Sequence, residues 1–375
     1  MPLKIVEVSS FFGINKFISS QWDFYKNDPN FVPPLKLDRR KLLNTKKNPF
    51  FKHSEIRFFI AIDNSQIRGR IAGIINHNHN KTHNDKVGFF GFFECVNDSN
   101  VSLALFSKVE EWLKEKGMES VRGPVNPSMN DENAILIDGF DLPPVLLMPY
   151  NPKYYQNLIE GLGYKKAKDL FAYHLVNEEY VSDKMLRMND LIVDRYELEI
   201  RSMDFKNKDN FKRDLEDIKK IYNEAWEKNW GHVKMTSEEF DFLASDLKGF
   251  ADPNYVLILK SKGILAGFAL GLPNLNEVLI HNKSGGLLGA LFHLLTKKKK
   301  IKMMRILVLG VLPEFRGKGF DSVLYNELGK RGLPKGIKFG EASWILEDNY
   351  DMIKGATQIM KGKHYKTYRI FEKEI

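Results

Sequence analysis

From Arg305 to Leu328 the chain reads Arg-Ile-Leu-Val-Leu-Gly-Val-Leu-Pro-Glu-Phe-Arg-Gly-Lys-Gly-Phe-Asp-Ser-Val-Leu-Tyr-Asn-Glu-Leu. An apolar run, Ile306 to Leu312, ends at Pro313, and the turn Arg316-Gly-Lys-Gly319 leads into Phe320, Val323, Leu324 and Leu328 at helical spacing. A strand, a glycine turn and a helix start in that order aim free backbone N–H groups at one point, the positive end of the helix. This is chemistry for a pyrophosphate. Glycines admit a close approach of the ligand, and Arg316 and Lys318 bring positive charge beside it. Taken as a bare pattern, it is equally an ordinary glycine turn before a helix.

A second concentration of polar groups lies at Arg122-Gly-Pro-Val-Asn-Pro-Ser-Met-Asn-Asp-Glu-Asn133. Asn126, Asn130, Asp131 and Glu132 offer donors and acceptors in a short span held by prolines and glycine. They are candidates for gripping a polar, amine-bearing substrate. The competing reading is a loop whose side chains satisfy its own backbone. Glu94, ending the apolar run Val87 to Cys95, joins the candidate substrate residues as a base or as a partner for Arg122. His77, His79 and His83 crowd together, but no cysteine or carboxylate cluster adjoins them. They read as a solvated hairpin end, and no metal is assigned.

These groups must be positioned by two similar series of elements. The first runs strand Lys4 to Ser9, helices Phe11 to Trp22 and Leu35 to Asn44, a hairpin of Glu55 to Asp63 and Gln66 to Asn76, and strand Val87 to Cys95. Helix Val101 to Lys116, strand Glu119 to Gly123, helix Pro152 to Gly161 and strand Asp169 to Val176 complete it. The second repeats the order: strand Arg195 to Met203, helices Phe211 to Trp230 and Ser237 to Lys248 with Ser237 as N-cap, and strands Tyr255 to Lys260, Ile264 to Leu272 and Arg305 to Leu312. Helix Phe320 to Arg331, strand Phe339 to Ile345, helix Asn349 to Met360 and strand Tyr365 to Glu372 close it. The repeated order implies duplication, with domains at 1–182 and 183–375 and a polar junction over Asn177 to Asp194.

The segment Val311-Leu-Pro-Glu-Phe-Arg-Gly-Lys-Gly319 resembles motif A of the GCN5-related N-acetyltransferase (GNAT) superfamily, Gln/Arg-x-x-Gly-x-Gly/Ala after Val-x-Pro. Glu341-Ala-Ser-Trp-Ile and the helix opening at Asn349 resemble motif B. The motifs cover half of the chain and the layout all of it. The resemblance implies a mixed α/β sheet in two tandem GNAT-like domains and an N-acyltransferase using acetyl-CoA or another acyl-CoA. The cofactor's pyrophosphate would lie on the amides of Arg316, Gly317, Lys318 and Gly319, with Phe320 opening the helix. The pantetheine arm would follow the strand edge that carries Leu309 and Val311.

Proton transfer in that family falls to a strand glutamate and a motif B tyrosine. Here Glu341 is the available base, and the tyrosine position falls on Ala356, leaving Tyr350 as the substitute acid and Tyr365 as another. Asp321 also departs from the motif, its charge standing beside the phosphate site unless it caps the helix. In the first half, Val96-Asn-Asp-Ser-Asn100 replaces the glycine turn, so that half has lost cofactor binding. Gly91-Phe-Phe-Glu94, Gly123-Pro-Val-Asn-Pro-Ser128 and Tyr368-Arg-Ile-Phe-Glu-Lys373 are similar to stretches of a bacterial group of tandem acetyltransferase-like proteins. The expected partner is a small-molecule amine. A non-catalytic acyl-CoA sensor is the alternative.

The bulk composition sets outer bounds. With 375 residues, 43% hydrophobic and 28% charged, the chain has the size of two ordinary domains. The single thiol, Cys95, excludes an internal disulfide framework and fits a cytoplasmic protein. The N-terminus reads as a strand, not as a signal peptide. No apolar run reaches the roughly 18 residues of a membrane helix. A net charge of +9 comes with no nucleic-acid module, so no nucleic acid is expected as a partner. Gly285 to Thr296 with Lys297 to Lys300 is an apolar helix with a basic tail, inserted before strand Arg305 to Leu312. It reads as lying on a membrane, covering a lipophilic acyl chain, or packing across the cleft.

Overall fold

The computed structural model describes residues 3–227 and 229–375. In chain order it holds β1 (Lys4–Val8), α1 (Phe11–Ser19), α2 (Lys36–Leu42), β2 (Ser54–Asp63), β3 (Gln66–Asn76) and α3 (His77–His83). Next come β4 (Val87–Cys95), α4 (Ser99–Glu115), β5 (Ser120–Gly123), β6 (Ile135–Asp138), α5 (Tyr155–Glu160) and β7 (Lys165–Val176). The second series is α6 (Asp183–Tyr196), β8 (Leu198–Ser202), α7 (Lys208–Ala225), α8 (Ser237–Lys248), β9 (Val256–Ser261) and β10 (Ile264–Pro273). It ends with α9 (Leu287–Lys297), β11 (Met303–Val311), α10 (Phe320–Gly332), β12 (Phe339–Leu346), α11 (Tyr350–Lys354) and β13 (Lys363–Glu374).

The chain divides into two compact units that are not continuous in sequence. Unit 1 comprises 1–169, 279–296 and 366–375, and unit 2 comprises 170–278 and 297–365. Unit 1 thus takes most of the last strand of the chain, and unit 2 takes most of β7, the strand that ends the first series. A cut at 182/183 follows the order of repeated elements and not these compact units. The sheet of unit 1 runs β1-β2-β3-β4-β5-β13, antiparallel except for β4 and β5. That of unit 2 runs β7-β12-β11-β10-β9-β8, antiparallel except for β11 and β12.

The cores follow from the apolar periodicity. In unit 1, α4 buries Val101, Leu105, Phe106, Val109, Trp112 and Leu113 with Phe90, Phe93 and Ile71 of the sheet. Each such side chain contributes about 1.5–3 kcal/mol by leaving water. Asp98 caps α4, accepting from the amide of Asn100. The replacement of a glycine turn by Val96-Asn-Asp-Ser-Asn100 therefore closes a helix end.

Three local expectations are corrected. Asn177 to Asp194 is not an irregular junction: α6 occupies Asp183–Tyr196 with Ser182 as its cap, and Asn189 Oδ1 accepts from Ser322 Oγ of α10 at 3.1 Å. Its many charged residues concealed an amphipathic stripe. The cap of α8 is Thr236, not Ser237, in a reciprocal pair with Glu239. The histidine run, which joins the antiparallel β3 and β4, is the helix α3 and is not wholly solvated: it turns His79 inward while His77 faces Glu55.

His79 is 1% exposed, and burial pushes its imidazole down to about 3. Its Nε2 lies 3.4 Å from Arg122 Nη1 and 3.5 Å from Asp85 Oδ2. The guanidinium makes Nε2 an acceptor, so the ring is neutral. The unfolded chain takes up this proton below about pH 6.5 and the folded chain does not, so stability present above that pH falls as the pH drops. At pH 5 the loss from this one group is roughly 2 kcal/mol. Urea unfolding at pH 7 and pH 5 should therefore show a smaller difference for His79→Gln than for the wild type. Equal differences would refute a neutral buried ring.

Candidate active site

In unit 2, β11 and β12 pair in parallel from Met303↔Phe339 to Ile306↔Ala342, and pairing then stops although β11 continues to Val311. Beyond Ile306 that edge of β11 has no strand partner among the described residues, while its other edge stays paired with β10 as far as Gly267↔Val311. The strand ends in Pro313–Phe315, and the turn then delivers Gly319 in the left-handed region (φ 81°) as the N-cap of α10. The left-handed conformation favours glycine here, and a Cβ on Gly319 would lie 2.8 Å from Ile192 Cδ1 and have to push the end of that side chain aside. Among the described residues, no amide from Gly317 to Asp321 donates to a protein acceptor, and no side chain caps the helix. Five successive donors thus stand at the positive end of a helix dipole, which suits an anion such as a pyrophosphate.

The side chains of the turn have other tasks. Arg316 donates from Nη2 to the Ala225 carbonyl at 2.8 Å and from Nε to the Val311 carbonyl at 3.3 Å, tying the turn to the end of α7. Lys318 Nζ donates to the Glu314 carbonyl at 2.8 Å and lies 5.2 Å from the Phe315 ring centre. Phe320 is buried beneath Phe315, with ring centres 5.7 Å apart. Leu309 and Val311 are buried as well, so these three residues offer backbone and not side chains. Asp321 is not the cap. It stands in the first turn of α10, where a carboxylate is favourable to the helix dipole.

At the mouth of the split is a polar chain. Glu341 is 0% exposed and opposite Arg305 in the parallel ladder. Its Oε1 accepts from Ser343 Oγ at 2.5 Å and its Oε2 accepts a short bond from Tyr365 Oη. Ser343 Oγ in turn accepts from Arg305 Nε at 3.0 Å, and Arg305 Nη2 reaches the Ser343 carbonyl at 3.2 Å. His174 is paired with Glu341 across β7 and touches the Tyr365 ring at 5.8 Å. Burial holds its imidazole below the ordinary value, against the pull of the Glu341 carboxylate. Tyr365 is half-buried, whereas Glu341, Ser343 and Arg305 are buried. Tyr350 is 70% exposed at the start of α11 and does not join this bonded chain, so the structure brings Tyr365 and not Tyr350 to Glu341. Arg305, Ser343 and His174 were missed by sequence reasoning. An arginine inside Met-Met-Arg-Ile-Leu-Val-Leu was the available signal, because a charge in a buried strand demands a partner.

Unit 1 has the same split, but filled. Pairing of β4 with β5 covers Val87↔Ser120 to Phe89↔Arg122, after which the chain folds across the gap. Asn126 Oδ1 accepts from the amide of Phe92 at 2.5 Å, and a Cβ on Gly91 would lie 1.8 Å from the Val125 carbonyl. The other candidate substrate residues are also engaged internally. Glu132 accepts from Arg39 Nη2 on both carboxylate oxygens, at 2.9 and 2.8 Å, Asp131 Oδ2 accepts from Ser128 Oγ at 2.6 Å, and the Asn130 amide donates to that same Oγ at 3.1 Å. Of the two readings of this loop, the self-bonded one describes it.

Glu94 does not pair with Arg122, whose Nε donates to Glu372 at 2.7 Å. It is 5% exposed and accepts from Tyr155 Oη at 2.7 Å, Tyr25 Oη at 2.8 Å, Gln21 Nε2 at 2.8 Å and Arg70 Nη2 at 3.4 Å. Burial raises its carboxyl against the lowering effect of Arg70, and both tyrosines are held well above their ordinary value by burial and by this carboxylate. The phenols therefore stay protonated and donate. With four donors on two oxygens, Glu94 is a structural centre and not an open substrate group.

The arrangement as a whole has known counterparts. A tandem GNAT protein from the clavulanic acid biosynthesis pathway superposes with a TM-score of 0.57 at 12% identity, covering 100% of this chain and 98% of that one. A GCN5-related N-acetyltransferase from Sphaerobacter thermophilus does so with a TM-score of 0.53 at 11% identity, covering 99% and 95%. The fold is the tandem GNAT fold. No family model matches the chain. Whole-chain relatives are more specific: the chain belongs to the family of the bacterial ceramide synthase of Caulobacter vibrioides and Protein YghO of Escherichia coli. Identity to the former is 32% over 393 residues, covering 100% of this chain and 98% of the relative. Identity to the latter is 31% over 374 residues, covering 96% and 93%.

Two variants test this geometry. Free CoA should raise the melting temperature of the wild type but not that of Gly319→Val, which forces a β-branched residue into the left-handed region and against Ile192. An undiminished rise would remove the turn from the binding site. Glu94→Leu leaves Arg70 charged and unpaired in the core and should cost about 3–5 kcal/mol in urea unfolding. A loss within the range of a surface substitution would contradict the structural role.

Proposed function

We propose that this chain is an acyl-CoA-dependent N-acyltransferase whose single cofactor site lies in unit 2 and whose acceptor is the amine of a long-chain amino alcohol. The observation that carries the reading is the parting of β11 and β12 between two pieces of chemistry, a turn of five free amides and the Glu341–Tyr365 pair. Membership of a family with a ceramide synthase supports the acceptor class, since a ceramide is the amide of a fatty acid and a long-chain amino alcohol.

The acyl-CoA supplies a thioester carbonyl as electrophile, and everything else falls to the chain. The amides of Gly317 to Asp321 hold the pyrophosphate, and the unpaired edge of Leu307 to Val311 receives the pantetheine arm as an added strand would be received. Glu341 is too enclosed to touch an amine. Tyr365 is the group that meets it, taking the proton from nitrogen on Oη while passing its own to Glu341 Oε2. As the C–N bond forms the C–S bond breaks, and the proton stored on Glu341 returns through Tyr365 to the departing thiolate. Arg305, through Ser343, keeps the carboxylate oriented between these transfers.

Release of free thiol tests the reading directly, with acyl-CoAs of increasing chain length and acceptors from short amines to a long-chain amino alcohol. Cys95 adds no background, because it is buried and its thiol is pushed up to about 12. Tyr365→Phe and Glu341→Gln should each lower kcat by about 10²–10⁴-fold, the usual range for loss of acid–base catalysis, with CoA binding retained. Tyr350→Phe should match the wild type. Silence toward every donor and acceptor, or a fully active Tyr365→Phe, would overturn the proposal.

A further inference from the structure

Helix α9 presents a face that unit 1 does not cover. Leu288, Leu291, Phe292 and Leu295 are 83%, 47%, 61% and 84% exposed, and their spacing places them in one stripe. The opposite side is the packed one, where Ala290 is 1% exposed and the His293 ring lies 5.9 Å from His281. The helix is not a loose tail. Just before it, the Lys283 carbonyl accepts from Trp22 Nε1 at 2.9 Å and the Gly285 carbonyl accepts from the Lys36 amide at 3.0 Å. An anchored helix that turns four large apolar side chains outward is contrary to the rule for surface helices, which put their polar residues there.

The charge around the stripe identifies what covers it. Lys297, Lys298, Lys299 and Lys300 follow the helix directly, and no aspartate or glutamate occurs between Glu277 and Glu314. A protein partner with an apolar groove would not demand such a one-sided run, whereas an anionic bilayer surface would. The helix has 11 residues, and among the described residues no helix is long and apolar enough to cross a membrane. It is suited to lie in the plane of the interface, with leucines and phenylalanine in the acyl region and lysines among the headgroups.

We infer that α9 and the lysine run that directly follows it in sequence dock the chain on the surface of an anionic lipid bilayer. The inference does not rest on the acyl-transfer reading, since docking requires no turnover. For a lipophilic amine or a long-chain acyl donor, it places the enzyme at the phase where such molecules concentrate.

Flotation of the full chain on a density gradient tests it, with vesicles of phosphatidylcholine alone or mixed equally with phosphatidylglycerol. The wild type should float with the mixed vesicles, much less with phosphatidylcholine, and release in about 1 M salt, where charge is screened within a few ångströms. Leu288→Gln/Phe292→Gln/Leu295→Gln should partition roughly tenfold less. Its melting temperature should be unchanged, because the replaced side chains already face solvent. Lys298→Glu/Lys299→Glu should lose the preference for anionic vesicles. A wild type that stays at the bottom of both gradients overturns the inference, as does a triple glutamine variant that floats like the wild type. So does a wild-type dimer in light scattering that the triple variant converts to monomer without any flotation, which would show a second copy of the chain on the stripe.

Discussion

Two parallel strands that pair for a few residues and then part are the constraint on which this molecule is organised. A backbone edge released from a ladder must find other partners or remain open to a ligand, because buried N–H and C=O groups are costly to leave alone. In unit 2 the release begins after Ile306 and Ala342, and strand β11 runs on to Val311 with one edge unpaired. The turn beyond that edge ends in amides with no acceptor among the described residues, and the buried carboxylate of Glu341 stands at its beginning. An elongated ligand with an anionic middle and a reactive end fits that order of groups.

The same device is spent differently in unit 1. Asn126 accepts from the released amide of Phe92, Asp98 caps the helix that follows, and Glu94 is surrounded by Tyr25, Tyr155, Gln21 and Arg70. Each group that could have met a ligand has met a neighbour. The two units share one strand arrangement and differ in what meets its released edge. The difference is whether polar groups are satisfied from within.

Much of the fold was legible in the residues. Hydrophobic periodicity located the strands and most helices of both series, and the strand–glycine–helix unit at Arg316 to Gly319 could be read because glycine and proline have few alternative uses there. Asn177 to Asp194 was misread for the opposite reason: a helix rich in charge, packed through a narrow stripe such as Asn189 and Ile192, has a weak periodic signal. The candidate site was legible in its amides and only partly in its side chains. Glu341 stood out as a carboxylate in an apolar strand, whereas nothing along the chain told that Tyr365 and not Tyr350 bonds to it, because that contact joins residues 24 apart in sequence.

Sequence alone determined what depends on neighbours in the chain: the glycine turn that ends at Gly319, the repeated order of elements, and the apolar stripe of α9 with its lysines. The tertiary structure decided what depends on distant partners. It assigned Glu94 to Arg70 and not to Arg122, and turned Arg316 toward the carbonyls of Ala225 and Val311. It also sent most of β7 and most of β13 into units other than those their sequence order suggested. The physical reason is common to all three. A charge or a strand edge takes the partner that desolvates it at least cost, and that partner is set by which strands lie side by side, not by spacing along the chain.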